Sequence, residues 1–197
     1  MKDKPARMSR KKKSVDPRAR KTRSAIAGAL MKLSAEKGLD GVNAKELTAA
    51  AGVGRSTFYA HFDSKEDFLV KSFADLIRRL DADALTRNPS RHVFPALAYF
   101  KHAANSKKYA HAMASSASYA DLRQQREIKV REIILRNLTR MSLGDAQSQA
   151  RIATMLSGAF MSLTHAWMLA GLKEQPESLD AAFRTLSDAA VSTLASQ

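Results

Sequence analysis

Three consecutive polar residues, Arg55-Ser56-Thr57, follow a glycine and precede an aromatic run, Phe58-Tyr59-Ala60-His61-Phe62. A guanidinium beside two hydroxyls suits nucleic-acid recognition: arginine grips a guanine edge bidentately, and hydroxyls serve base edges or phosphates. In the first turn of a helix these side chains are joined by unpaired N–H groups and a positive dipole end, which attract phosphate. Lys65 stands at the start of a later predicted helix, and Asn43 and Lys45 at the start of an earlier one, so each can meet a phosphate beside a helix end. Competing chemistries lack their residues. The histidines, His61, His92, His102, His111 and His165, include no i, i+4 pair for a helical zinc site. Gly52-Val53-Gly54 lacks both the third glycine and the preceding strand of a dinucleotide loop, and no Gly-x-Ser-x-Gly elbow occurs. Neither catalysis nor a metal or cofactor is expected.

The elements that would carry these residues are written locally. Asn43 is an N-cap and Glu46, three residues on, completes a capping box for a helix over 44–51. Gly52 suits the left-handed conformation that ends this helix, and Val53 supplies an apolar plug in the turn. Gly54 opens a second short helix over 55–61, in which Phe58 and Phe62 fall on one face. Asp63 with Glu66 forms a second capping box and starts a longer helix. Two short helices around a glycine turn make a helix-turn-helix, whose second helix can enter a major groove.

This stretch resembles the DNA-binding domain of TetR-family transcriptional regulators. The resemblance is carried by Ala51-Gly52-Val53, by Phe58-Tyr59-Ala60-His61-Phe62 and by Ser64-Lys65-Glu66, and covers about residues 18 to 80. It implies that Tyr59 and His61 hydrogen-bond the phosphate backbone beside Arg55, Ser56, Thr57 and Lys65. Three positions depart from the family pattern: Gly54 stands for the usual Ser cap, Thr48 for Ala, and Ser56 for a frequent Gly. Glycine is a tolerated N-cap.

Charge is unevenly spread. Residues 1–23 hold eleven Lys or Arg against two Asp, a net +9 of the chain's +14. A basic arm ahead of a helix-turn-helix suggests contact with phosphates or a minor groove. Residues 1–16 lack apolar periodicity and read as a disordered basic arm. The absence of cysteine excludes disulfides and thiolate metal sites, and the charged N-terminus has no apolar signal segment.

Asp16-Pro17 marks the start of a first helix, whose Ile26, Ala29, Leu30 and Leu33 share one face. Arg18, Arg20, Lys21 and Arg23 in its first turns can reach a phosphate backbone. The fourth helix is expected over about 64–85, and Asn88-Pro89-Ser90 then breaks the pattern, giving a DNA-binding domain over 17–87 and a second domain over 88–197. That second domain shows helical signals throughout: 93–105, a short helix from Lys107, 119–141, and Pro176 to Ala195 with Leu179, Phe183, Leu186, Ala190 and Leu194 on one seam. Ile152 to Leu172 has no formally charged residue in 21. Its length could span a bilayer, but its Ser, Thr and His content favours a helix buried among partners, and no membrane association is expected.

The fold class expected is therefore all-α. The family resemblance implies a homodimer through the last two helices, double-stranded operator DNA as partner, and a C-terminal half that encloses a small-molecule effector. Phe100, Met113, Phe160, His165 and Trp167 are the candidate lining residues, since Met and aromatic side chains suit an adaptable apolar cavity. The reading is a cytoplasmic, nucleoid-associated transcriptional regulator acting as a ligand-responsive repressor. A non-specific, chromosome-organising basic protein driven by the arm is the alternative.

Overall fold

The computed structural model describes residues 17–87 and 92–196, and among them only helices occur as regular structure. The basic arm, the Asp16 cap and the expected domain break at 88–90 lie outside the described residues. In order the helices are α1 (Pro17–Lys37), α2 (Ala44–Ala51), α3 (Arg55–Tyr59), α4 (Lys65–Arg87), α5 (Ala96–Ala104), α6 (Lys107–Ala114), α7 (Tyr119–Arg140), α8 (Ala146–Leu169) and α9 (Pro176–Ala195).

Helix α1 turns Ile26, Ala29 and Leu30 inward, as their spacing predicts. The expected cap of α4 is displaced by one residue. Its N-cap is Ser64, whose Oγ accepts from the Asp67 amide at 3.1 Å, while the Asp67 carboxylate accepts from the Asp63 amide at 3.0 Å. Because the helix begins at Lys65, the three-residue spacing of the box falls on Asp67, not Glu66. Helix α5 likewise begins after Pro95, whose ψ of 52° is not helical, so Val93 and Phe94 precede the helix as buried plugs.

Helices α7 and α8 pack along each other, α9 closes over α5 and α8, and α4 leans on α7. The centre is aromatic. Phe160 has Phe94, Tyr99, Phe100 and Phe183 around it at ring separations of 4.6 to 5.6 Å. Helix α8 is long and apolar enough to cross a membrane by length and composition. It packs against α6, α7 and α9 and buries Ser148, Gln149, Ser157 and Thr164, as a core helix does. The buried apolar side chains form one cluster from Ile26 to Leu194. Along the expected seam of α9, Leu179, Phe183 and Leu194 are buried and Leu186 faces outward, 48% exposed.

Two polar links tie the first four helices to the rest. Asp40, between α1 and α2, accepts from Ser116 Oγ at 2.6 Å and from the Ala117 amide at 2.8 Å. Asp81 of α4, almost fully buried, accepts from His92 Nε2 at 2.9 Å, from Asn137 Nδ2 at 2.7 Å and from Arg136. Burial alone would raise the Asp81 pKa. The His92 and Asn137 hydrogen bonds and the Arg136 charge outweigh it and hold the carboxyl below its ordinary 3.8.

Candidate functional site

The α2–α3 unit is built as its sequence dictates, except that α3 ends at Tyr59 with Ala60 as its C-cap, two residues short of the expected His61. Asn43 Oδ1 accepts from the Glu46 amide at 2.9 Å and the Glu46 carboxylate accepts from the Asn43 amide at 3.4 Å, closing the capping box. Gly52 sits at φ 63° and ψ 32°, the left-handed turn that a side chain would strain. Thr48, where the family pattern has Ala, is buried with its hydroxyl satisfied, donating back to the carbonyl of Ala44 at 2.8 Å.

Helix α3 is held from beneath by Phe58 and Phe62, both almost wholly buried, with ring centroids 5.5 Å apart. Phe62 in turn meets Phe68 of α4 edge-on at 5.0 Å. With that face anchored, Arg55, Ser56, Thr57 and Tyr59 are turned to solvent, Tyr59 with 48% of its surface exposed. No side chain caps the start of α3, because Gly54 occupies the cap. Lys45 and His61 are exposed as well, and the His61 carbonyl accepts from Lys71 Nζ at 3.2 Å. Asn43 is exposed, with its side-chain oxygen committed to the cap.

Lys65 is placed differently from the other candidates. Its side chain is only 15% exposed, and its ammonium donates to the carbonyls of Leu39 at 2.9 Å and Val42 at 2.7 Å. It thereby closes the loop between α1 and α2. Arg23, another expected phosphate contact, pairs with Asp75 of α4 and lies over the Phe62 ring at 5.6 Å. Both contacts brace the helix-turn-helix against its neighbours. Neither is legible in the sequence, since their partners lie far away along the chain. Arg20 and Lys21 remain exposed on α1.

A second feature lies inside the fold. A cavity of about 250 Å³, open to solvent on one side, lies between α1, α4, α5, α6, α7 and α8. Leu30, Phe68, Leu76 and Met113 give it apolar walls, and Tyr99, Tyr109 and Arg126 give it polar ones. Of the five candidates for ligand contact, only Met113 lines it. Phe100 and Phe160 fill the aromatic core, 5.5 Å apart, and Trp167 joins them with its indole N–H donating to the Glu174 carbonyl at 3.0 Å. His165 is stacked on Tyr119 at 4.1 Å, with Nε2 3.3 Å from the Ala114 carbonyl. Aromatic composition marks the right half of the chain but not which rings pack against one another. The sequence pattern does not single out Tyr99, Tyr109 and Arg126, because helical periodicity does not tell a cavity wall from a core.

None of the curated proteins matches the sequence. The family described as "Bacterial regulatory proteins, tetR family" matches residues 26–71, the span from mid-α1 into α4 that holds the helix-turn-helix. Among solved structures, the dihydroxyacetone kinase operon activator DhaS is similar over 88% of this chain and 97% of its own, with a TM-score of 0.64 and 15% identity. A TetR transcriptional regulator from Rhodococcus sp. RHA1 covers 88% and 97%, with a TM-score of 0.62 and 16% identity. FadR from Thermus thermophilus, a TetR-family repressor in complex with lauroyl-CoA, covers 83% and 92%, with a TM-score of 0.58 and 20% identity. The chain thus carries a tetR-family DNA-binding region at residues 26–71 and shares its all-helical fold with solved TetR-family regulators over most of its length.

Proposed function

We propose that the protein is a homodimeric repressor that binds a palindromic operator in the cytoplasm, on the nucleoid, and is released by a small effector. The observation that carries this reading is α3 itself: four polar side chains, Arg55, Ser56, Thr57 and Tyr59, turned to solvent above a buried Phe58. Arg55, Ser56 and Thr57 read base edges, and Tyr59, His61, Lys45 and the side-chain Nδ2 of Asn43 hold phosphates. Lys65 positions the unit by closing the α1–α2 loop and adds its charge near the backbone.

Dimerisation is supported by the outer face of α8. Met155, Ser162 and Leu169 recur every seven residues and all are exposed, beside the exposed Leu186 of α9. A pair of such faces forms a four-helix contact around a two-fold axis. Two α3 helices about 34–36 Å apart would then enter successive major grooves. The cavity borders α1 and α4, the helices that carry the helix-turn-helix, so an occupant that prefers one arrangement of α4 shifts that separation. The shift is bounded by the ligand's differential affinity for the two states.

Selection of binding sites from genomic fragments with the purified protein, at near-physiological salt, tests the reading. Recovery of one short palindrome is expected. Uniform recovery that collapses as salt rises would make the chain a non-specific basic protein driven by its N-terminal arm, and would sink the proposal.

A further inference from the structure

Among the residues lining the cavity, Arg126 carries a charge with no counter-charge beside it. It belongs to α7, is only 5% exposed, and its Nε has no hydrogen-bond partner. The ion pairs among the described residues do not include it. A guanidinium stays charged at any physiological pH, and a buried charge without a counter-charge is strongly disfavoured. The compensation present is partial: Arg126 lies over the Phe73 ring at 5.0 Å and interacts with the Tyr109 hydroxyl.

The phenols around it do not supply the missing anion. Burial pushes Tyr109 up to about 12 and raises Tyr99 as well, in both cases against the opposing charge of Arg126. Both rings stay neutral and keep O–H groups to donate. Where the cavity meets solvent, its exposed lining residues are Met31, Arg79 and His102, which add no negative charge. The site thus offers one buried positive charge, with Arg79 a second at the mouth, and phenol donors in a shell of Leu30, Leu76, Phe73 and Met113.

We propose that this cavity takes a small organic acid, an aromatic or short aliphatic body with one carboxylate that pairs with the Arg126 guanidinium. A carboxylate matches the planar fork of arginine and satisfies the orphaned Nε. The apolar shell covers the body. At about 250 Å³ the cavity lies just under the ~300–1,000 Å³ of drug-sized pockets, which selects a small acid. The role of that acid as effector rests on the proposed ligand-responsive function. The anion site itself does not.

The full-length protein would be titrated with benzoate, phenylacetate and hexanoate, each beside its uncharged amide, by calorimetry and thermal unfolding. At least one acid is expected to bind and to exceed its amide by roughly 10- to 100-fold, the range for a hydrogen bond to a charged group. Arg126→Met is expected to erase that preference while melting at or above the wild-type temperature, because it removes an uncompensated buried charge. Arg126→Lys keeps the charge without the fork and should retain part of the preference, which also serves if the Met variant does not fold. Equal binding of acid and amide, acid binding that survives Arg126→Met, or no binding by any of the acids would each overturn the anion site. Operator binding is read separately on the same preparations. An acid that binds at Arg126 yet leaves operator affinity unchanged would overturn the effector role and leave the anion site standing.

Discussion

The α2–α3 unit and the internal cavity are both places where polar groups wait for a partner, but they are assembled in opposite ways. The reading head is contiguous: the cap at Asn43, the turn at Gly52 and the aromatic base at Phe58 and Phe62 lie within one short stretch, and its polar side chains are exposed. The cavity draws its walls from six helices between Ala27 and Met168, and its one full charge below the surface, Arg126, is buried. An exposed head keeps its hydration until DNA arrives, so it can be rich in charge at little cost to folding. A buried guanidinium loses its hydration on folding, so it is tolerated only where a ligand or a local ring offsets the loss. In the proposed function, electrostatics therefore sets on-rate and register at the first site and ligand identity at the second.

This contrast can be broken at its base. Phe58→Ala empties the support of α3 and is expected to cost about 3–5 kcal/mol of stability, the range for a buried Phe, measured by chemical denaturation. A negligible loss would mean that α3 does not depend on Phe58 for its placement. Arg55→Ala with Tyr59→Ala removes only exposed groups. It should weaken operator binding roughly 100-fold, about 3 kcal/mol, and leave the melting temperature and benzoate or hexanoate binding unchanged. Fluorescence anisotropy on the selected operator decides this, and unaltered affinity would remove α3 as the reading element.

Lys65→Met sharpens the comparison, because Lys65 sits at the reading head but behaves like an interior group. Loss of its bonds to Leu39 and Val42 should cost about 1–3 kcal/mol of stability, as for buried acceptors left unmade. If Lys65 instead serves only a phosphate, the variant melts like wild type and the salt dependence of operator binding falls by about one ion. The smallest effect concerns the α4–α7 link. The Asp81 pKa in the folded chain lies below its ordinary 3.8, so the ionised carboxylate contributes stability above that pH and loses it as pH falls through the lower folded value. The melting temperature of the wild type should therefore drop more steeply below pH 4 than that of Asp81→Asn, a difference that acid titration of both reads directly.

Several elements are legible in local sequence pattern alone. The caps of α2, the left-handed Gly52 and the start of α9 at Pro176 depend on residues within one turn of each other, and the structure places them as expected. The expected cap of α4 is one residue out, because Asp63 and Ser64 are both able caps and only the helix start at Lys65 separates them. The pairing of Arg23 with Asp75 and the burial of Lys65 under Leu39 are not legible at all. Their partners are brought together by the angle between α1 and α4, which no local pattern encodes.

The sequence by itself determined that this chain is helical, that residues 44–61 make a helix-turn-helix with Arg55, Ser56 and Thr57 at its leading edge, and that its later half is rich in aromatic and Met side chains. Backbone propensity, capping and turn chemistry act over three or four residues, so they can be read in one dimension. Only the tertiary structure decided that Phe100, Phe160 and Trp167 fill a core while Tyr99, Tyr109 and Arg126 face a cavity. All six lie on helices with inward faces. Whether an inward face meets another ring or an empty space is set by how the helices cross, and that is a property of the packed chain.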